Sequence, residues 1–334
     1  MVTDARRRFA VLAENGGVVW LVVAALAVYA AATSGDFRSV GNLTNLSRQL
    51  IVLGLASLAQ FVVVLAAGVD LSIGASVRLA AIVAAIVMDG SDERFVLGAL
   101  AAIGVSFAIG GVNGLVSVVL RVEPFIATLG TGAIVTGLAL YIASTPKGRA
   151  SPGWTDLYTT EIGPFPVLLI GAVIVASVLW ILLARTAWGR HVYAVGGDRE
   201  IARLSGLRAD RVAISAYLVA GLLAGLTGLV VIGSTGVGDP SAAAGLEFES
   251  LAVVVIGGAS LAGGQGRMSG VIGGIVLFGM LGNVFNLLGV EVWYQQLVRG
   301  AVILVAAGLY VQRRPTARSR AEAAGNPDVQ QIGA

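Results

Sequence analysis

The sequence contains no cysteine, one histidine (His191) and one lysine (Lys147) in 334 residues. Without cysteine there can be no disulfide, thiolate metal site or cysteine nucleophile, and one histidine cannot form a histidine metal cluster. Charged residues are also scarce, at 12% against roughly 25% in soluble domains. The net charge of +3 is too small to indicate nucleic-acid binding. We therefore predict no metal, no cofactor, no nucleic-acid partner and no catalytic residue.

Hydrophobic residues and glycine make up most of what is present. Hydrophobic residues account for 57% of the chain, 46 residues are glycine, and the mean hydropathy is +0.88. A water-soluble protein of this size would need far more polar surface. The composition therefore predicts that membrane lipid surrounds most of the chain.

The apolar runs have the length of membrane-spanning helices. A spanning helix needs about 20 mostly apolar residues, because hydrocarbon offers its backbone no hydrogen-bond partner. One of the ten candidate runs, 250–263, is short and glycine-rich, so we expect a broken or re-entrant helix there. The prediction is an all-α, polytopic membrane helical bundle of about ten transmembrane helices, at 16–33, 49–67, 72–88, 95–120, 125–143, 165–184, 212–232, 250–263, 270–288 and 296–312.

The distribution of basic residues predicts the orientation. With ten crossings and the amino terminus inside, fifteen of the 22 Lys and Arg residues fall on inside segments and five on outside loops, as expected for cytoplasmic enrichment of positive charge. This gives a cytoplasmic segment at 1–15, a transmembrane domain at 16–312 and a disordered cytoplasmic tail at 313–334. Helices 2–5 and helices 7–10 run in opposite senses, which predicts an inverted repeat of the kind that transporters use.

The longest inside segment, 185–211, contains six arginines and a short helical pattern. Asp198 can cap a helix that presents Ile201 and Leu204 on one face, and Gly206 can end it in the left-handed conformation. A helix this short is marginal in water, so it needs a protein partner for its apolar face. The alternative is a solvated, positively charged loop.

Residues 68–76 form a second candidate site. Asp70 and Ser72 stand at a turn between two apolar helices, where they can cap the start of the second helix. An ionisable group near membrane depth can instead face a pathway or a gate. Both interpretations remain open for this turn.

Several polar residues lie within the predicted spans and must find partners inside the bundle. They can hold helices together or line a pathway. The glycine-rich tract 257–266 lacks the Gly-Lys-Ser/Thr of a phosphate loop, so we assign it to close packing and a broken helix. The polar residues within the spans are Gln60, Arg78, Asn113, Thr128, Asn283 and Asn286.

Taken together, these motifs resemble the membrane subunit of ATP-binding-cassette sugar importers of the ribose/xylose/arabinose/galactose permease family. The likeness covers about residues 49–312. It rests on the order and spacing of six segments, namely 68–74 (GVDLSIG), 113–114 (NG), 124–130 (PFIATLG), 200–206 (EIARLSG), 257–266 (GGASLAGGQG) and 294–300 (YQQLVRG).

The resemblance implies a permease for a monosaccharide or small polyol, in the bacterial inner membrane with both termini cytoplasmic. Its partners would be a cytoplasmic ATP-binding cassette subunit, an extracytoplasmic sugar-binding protein, and a second copy of itself or a related permease. ATP hydrolysis would belong to the partner, so the chain would not be an enzyme. The expected coupling residues are Asp198, Glu200, Ile201, Arg203, Leu204, Ser205 and Gly206.

The resemblance also implies a pathway and a docking surface. The expected pathway or gate residues are Gln60, Asp70, Leu71, Ser72, Asn113, Phe125, Thr128, Asn283 and Asn286. The expected contacts to the binding protein are Lys147, Arg149, Glu247 and Glu249.

An ion-gradient-driven secondary transporter is the alternative function, since such proteins also use inverted repeats and polar residues at the membrane midplane. Proton relays need ionisable groups deep in the spans. In this sequence Asp70 and Arg78 are near span ends, which argues against that alternative.

Overall fold

The computed structural model describes residues 17–291, 293–295, 297–298 and 300–301. Chain contacts divide the protein into two units, residues 1–290 and 291–334, and the elements below belong to the first. The predicted segments 1–15 and 313–334, together with most of the predicted span 296–312, lie outside the described residues.

Helices dominate the described part of the chain. They are α1 (Gly17–Thr33), α2 (Val40–Leu65), α3 (Ile73–Met88), α4 (Phe95–Val118), α5 (Pro124–Ile142), α6 (Pro152–Thr159), α7 (Val167–Arg185), α8 (Ala187–Gly197), α9 (Arg199–Leu204), α10 (Ala209–Thr235), α11 (Leu246–Ile256) and α12 (Met268–Leu287). Short 3-10 turns lie at Asp36–Arg38 and Asp92–Arg94, and a hairpin pairs β1 (Glu161–Ile162) with β2 (Phe165–Pro166).

The lengths of these helices confirm the predicted all-α polytopic bundle. Among the described residues, six helices are long and apolar enough to cross a membrane: α2, α4, α5, α7, α10 and α12. The apolar helices α1 and α3 are shorter. Each of the first nine predicted spans overlaps one of these helices or α11.

The core is built around α2 and α10. Side chains of α2 from Phe61 to Leu65 are fully buried on all sides, as expected for a helix that is apolar all round. Helix α10 contacts α2, α3 and α4. Gly110 of α4 lies against the backbone carbonyl of Tyr217 in α10, and Gly221 of α10 lies against that of Ser106, which leaves no room for a Cβ. Small residues of this kind let membrane helices pack backbone to backbone.

The outer helices present apolar side chains to the surroundings. On α7 only Leu179 and Leu183 are buried, and large apolar residues such as Leu100 of α4 and Ile134 of α5 are exposed. An apolar surface this extensive is incompatible with water but fits lipid.

The two ends of the bundle can be told apart by their contacts. At one end Leu65, the last residue of α2, accepts a hydrogen bond from Gly264 N (3.0 Å) and lies against Gly196 of α8. We call this the Arg-rich end, because it carries residues 186–208. At the other, distal end Asn42 of α2 pairs with Asn283 of α12.

Helix α11 lies at the glycine-rich segment 250–263, where a broken or re-entrant helix is expected. Its 11 residues rise only about 16 Å, whereas the hydrocarbon core is about 30 Å thick. The helix ends at Ile256, and Gly258 follows with a φ of 87°. Irregular backbone at 236–245 and 257–267 completes the path between the distal end and the Arg-rich end.

Candidate translocation pathway and coupling surface

The turn between α2 and α3 is a buried hydrogen-bond network. Asp70 Oδ1 accepts from the backbone N of Ser72 (2.8 Å), from Ser72 Oγ (2.7 Å) and from Asn113 Nδ2 (3.2 Å). Asn113 Nδ2 also donates to Ser72 Oγ at 2.7 Å. Leu71 N donates to Thr128 Oγ1 at 3.0 Å. Five of the nine predicted pathway residues therefore share one network.

The Asp70 carboxylate closes a turn just before α3 but does not cap the helix, since the N-cap residue Ser72 makes no side-chain capping hydrogen bond. The Asp70 side chain serves the backbone N–H of Ser72 just before α3 begins, as Asx turns do. Asp70 is only 3% exposed, so it faces no open passage in this conformation. The gate interpretation then requires a second conformation in which this network rearranges.

A second Asp-x-Ser turn precedes α11. Asp239 Oδ1 accepts from Ser241 N (2.8 Å) and Ser241 Oγ (2.7 Å), the same distances as in the first turn. Asp239 is half-buried, unlike its buried counterpart. Asp239 and Ser241 are not among the residues expected from the sequence, although they share the Asp-x-Ser spacing of Asp70 and Ser72.

The two turns lead into two short helices whose amino-terminal ends meet inside the bundle. Gly74, the second residue of α3, packs directly against the carboxylate of Glu247, the second residue of α11, and against the carbonyl of Ala243. Arg78 Nε donates to the carbonyl of Ala242 at 3.0 Å. Short, interrupted helices at corresponding positions of two halves are where transporters place their pathway.

The remaining predicted pathway residues lie elsewhere. Gln60 is buried in α2, and neither its Nε2 nor its Oε1 has a hydrogen-bond partner among the described residues. Phe125 is 48% exposed at the start of α5. Asn283 pairs with Asn42 at the distal end, and Asn286 lies one turn further along α12. The structure thus separates the nine residues into at least three places.

Helix α9 at the Arg-rich end has the predicted caps. Asp198 Oδ1 accepts from the backbone N of Glu200 and of Ile201, both at 2.9 Å. Gly206 has a φ of 83°, and Ser205 Oγ donates to the carbonyl of Ile201 at 2.9 Å. The prediction of a helix that is capped by Asp198 and ended by Gly206 is confirmed.

One face of α9 packs on the bundle and another is exposed. Ala202 is 4% exposed and joins an apolar cluster that contains Val118 and Val195. Ile201 and Leu204 are 62% and 80% exposed. The apolar face that the sequence predicts is therefore not used within the described chain.

Ion pairs fix the orientation of α9. Arg199 Nη2 lies 3.0 Å and Arg203 Nη2 lies 3.3 Å from Asp210 Oδ1 at the start of α10. Arg203 also lies 3.5 Å from Glu200. Two arginines near the exposed face are thus engaged within the chain.

Helix α8 connects α9 to the core through backbone contacts. Gly196 has no room for a Cβ, because the carbonyl of Leu65 and the N–H of Gly264 lie against it. Tyr193 Oη donates to the carbonyl of Gly266 at 3.0 Å. A displacement of α8 and α9 would therefore act directly on the end of α2 and on the segment 257–267.

The four predicted docking residues do not form one surface. Lys147 and Arg149 are exposed in the loop after α5, where Lys147 N donates to the carbonyl of Gly238 at 3.0 Å. Glu247 packs against the start of α3 in the interior, and Glu249 lies two residues further along α11. Glu247 and Glu249 were expected on an outer docking surface, whereas the segment from Ala242 to Glu247 runs inward along α3.

Comparison with known proteins supports the membrane assignment. The family described as Branched-chain amino acid transport system / permease component matches residues 42–307. The ribose import permease protein RbsC of Escherichia coli K12 is 34% identical over 302 residues, which cover 88% of this chain and 92% of that protein. No solved structure matches the chain.

Two further relatives agree with this match. The D-allose transport system permease protein AlsC of Escherichia coli K12 is 32% identical over 90% of this chain and 93% of its own length. The fructose import permease protein FrcC of Rhizobium meliloti is 31% identical over 86% of this chain and 83% of its own length. The protein therefore belongs to the family of Branched-chain amino acid transport system / permease components, which are multi-span inner-membrane transport components and not enzymes.

Proposed function

We propose that the chain is the permease subunit of an ATP-driven importer that receives a monosaccharide or small polyol from an extracytoplasmic binding protein. Relatives named for the import of ribose, allose and fructose align with most of the chain. The structural observation that carries the proposal is α9, which is anchored on one face and exposes Ile201 and Leu204 on another.

The proposed orientation places the Arg-rich end in the cytoplasm. Segment 185–211 carries six arginines, and cytoplasmic loops are enriched in Arg and Lys. An ATPase needs cytoplasmic ATP, so α9 lies on the side where such a partner would bind. The distal end then faces the binding protein, with Lys147 and Arg149 available for docking.

Coupling follows from the contacts of α8 and α9. The ATPase would bury Ile201 and Leu204 in an apolar groove, and Asp198, Ser205 and Gly206 would set where the helix starts and stops. When ATP binding moves the ATPase, α8 passes the displacement to the end of α2 through the Gly196 contact. Movements of this kind convert between outward-facing and inward-facing states in transporters.

The pathway would run along the meeting point of α3 and α11. Arg78 and Glu247 are only partly covered by their own chain, although both lie on interior helices where an exposed charge is costly. A second copy of the chain, or a related permease, would enclose them around a water-filled passage. The two Asp-x-Ser turns would hold the ends of the short helices in the closed state.

The function predicts that transport requires the ATPase. The experiment reconstitutes the permease in vesicles with its ATPase and binding protein and measures uptake of labelled D-ribose, D-allose, D-fructose and D-galactose. We expect uptake of at least one sugar with ATP and the ATPase, and none with a proton or sodium gradient alone. Uptake driven by a gradient without the ATPase would instead establish the secondary transporter, which the relatives already disfavour.

A further inference from the structure

A polar cavity opens at the distal end of the bundle. Its volume is about 530 Å³, within the range of roughly 300–1,000 Å³ that is usual for small-molecule sites. Helices α2 and α12 form most of its wall, and α6 and α10 contribute the rest. All but one of its nine lining residues are polar.

Carboxamide side chains dominate the lining because of their helical spacing. Asn42, Asn45 and Gln49 are three and four residues apart, so they share one face of α2. Asn283 and Asn286 are three residues apart on α12 and share a face as well. The two helices therefore turn five amides toward the same cavity.

Only part of this set is used to join the helices. Asn42 Nδ2 donates to Asn283 Oδ1 at 3.1 Å, and Asn283 Nδ2 donates to Asn42 Oδ1 at 2.7 Å. That reciprocal pair is buried and holds α2 and α12 together, as interhelical hydrogen bonds between polar side chains do in membrane proteins. The side chains of Asn45 and Gln49 form no hydrogen bond with any other described residue, so contacts between helices do not explain these two amides.

The one charged residue in the described lining, Arg48, is already paired, so the cavity offers little charge to bind an ionic ligand. Arg48 Nη2 lies 2.8 Å from Glu161 Oε1, and its guanidinium lies over the Tyr158 ring at 5.4 Å from the centroid. No carboxylate is among the described lining residues. Amides both donate and accept hydrogen bonds, which matches the hydroxyl groups of a neutral sugar better than it matches an ion or an apolar molecule.

We propose that this cavity is a monosaccharide-binding site of the permease itself, which holds the sugar after the binding protein releases it and before the pathway opens. The proposal rests on the proposed function, because it needs the distal end to face the binding protein. Asn45 and Gln49 would bind the sugar hydroxyls, and the Asn42–Asn283 pair would keep the two helix ends at a fixed separation.

The test measures sugar binding to the permease alone, in lipid nanodiscs without ATPase or binding protein. Saturation-transfer NMR is recorded with D-ribose, D-allose, D-fructose and D-galactose, and with L-leucine as the apolar comparison. The variant Asn45→Leu/Gln49→Met keeps side-chain volume but removes the hydrogen-bonding groups. The matched control, Thr155→Val on α6, makes the same kind of change at the distal end outside the cavity, where Thr155 bonds only within its own helix.

We expect saturation transfer to at least one sugar and none to L-leucine. Two lost hydrogen bonds of about 1 kcal/mol each should weaken binding by about 30-fold in the double variant, and the control should match the wild type. Absence of transfer to all four sugars, or equal transfer in the double variant, overturns the proposal. ATP-driven uptake by the reconstituted importer separates the two proposals: if it persists while the cavity test fails, only the binding site is lost.

Discussion

Truncation of Leu204 tests the coupling surface most directly. The side chain is 80% exposed in the chain, so nearly all of its apolar area is available for burial against the ATPase. Full burial of a leucine contributes about 1.5–3 kcal/mol, and alanine keeps about a third of that area. Leu204→Ala should therefore weaken binding of the ATPase to each α9 by about 1–2 kcal/mol, which is about a 5- to 30-fold rise in the Kd of the ATPase for the permease.

The assay measures binding of the ATPase to immobilised permease in nanodiscs, and then ATP-driven uptake in vesicles. Leu288→Ala is the control, because Leu288 is also largely exposed, at 57%, but caps α12 at the distal end. We expect that variant to bind the ATPase like the wild type. Leu204→Asp should abolish the contact, since it would place an unpaired charge in an apolar groove.

Insertion and folding should be unaffected, because Leu204 is 80% exposed and is not a member of the apolar cluster that holds α9 through Ala202. Thermal unfolding in detergent checks this point. If Leu204→Ala and Leu204→Asp bind the ATPase and support uptake as the wild type does, then α9 is not the docking helix and the coupling argument is wrong.

Three further changes test the interior contacts. Gly196→Ala should displace α8 and lower ATP-driven uptake severalfold, whereas Gly197→Ala, which has open space around it, should leave uptake unchanged; equal uptake in both would contradict the proposed linkage. Asn113→Leu removes donors to a buried carboxylate and should lower stability by about 1–3 kcal/mol, seen as a lower unfolding temperature in detergent. Arg78→Leu removes the hydrogen bond to the Ala242 carbonyl, which should make that segment more accessible. An Ala242→Cys thiol should then react about tenfold faster with an impermeant maleimide. An unchanged rate would mean that this hydrogen bond does not hold the segment against α3.

Hydropathy predicted where most helices lie but not where they end. The second predicted span starts at residue 49, yet α2 begins at Val40. The extra turns carry Asn42, Thr44 and Asn45, which a search for apolar runs rejects. Ser39 caps the helix by accepting from Asn42 N at 3.1 Å, so local capping, not apolar content, sets the boundary.

The sequence predicted the form of α9 because short-range interactions determine it. Capping by Asp198 and the left-handed Gly206 depend on residues only a few positions apart. The exposed face also follows from spacing, since Ile201 and Leu204 are three residues apart. What it could not predict was Ala202 as the anchor, because that contact depends on residues in three other helices.

The contact between α3 and α11 could not be predicted from the sequence, because it joins residues that are far apart along the chain. The sequence places Glu247 among the expected contacts to the binding protein, and only the fold shows that it packs on Gly74, which is far away in sequence. Both Asp-x-Ser turns can be seen in the sequence. Their role at one site becomes evident only in the fold, where the helices that follow them meet. Nothing in the local pattern indicates that meeting.

The contacts at the two ends of α11 suggest how one movement can change both sides of the pathway. At the Arg-rich end, segment 257–267 is held by Leu65 and by Tyr193 of α8. At its other end α11 packs on α3, beside the Arg78 hydrogen bond. We expect α11 to shift as a rigid body, because it is short and irregular backbone flanks it at both ends. Under the proposed coupling, a displacement of α8 would act on 257–267 and then, through α11, on the contact between Gly74 and Glu247, so binding of the ATPase at α9 and opening of the pathway would be linked.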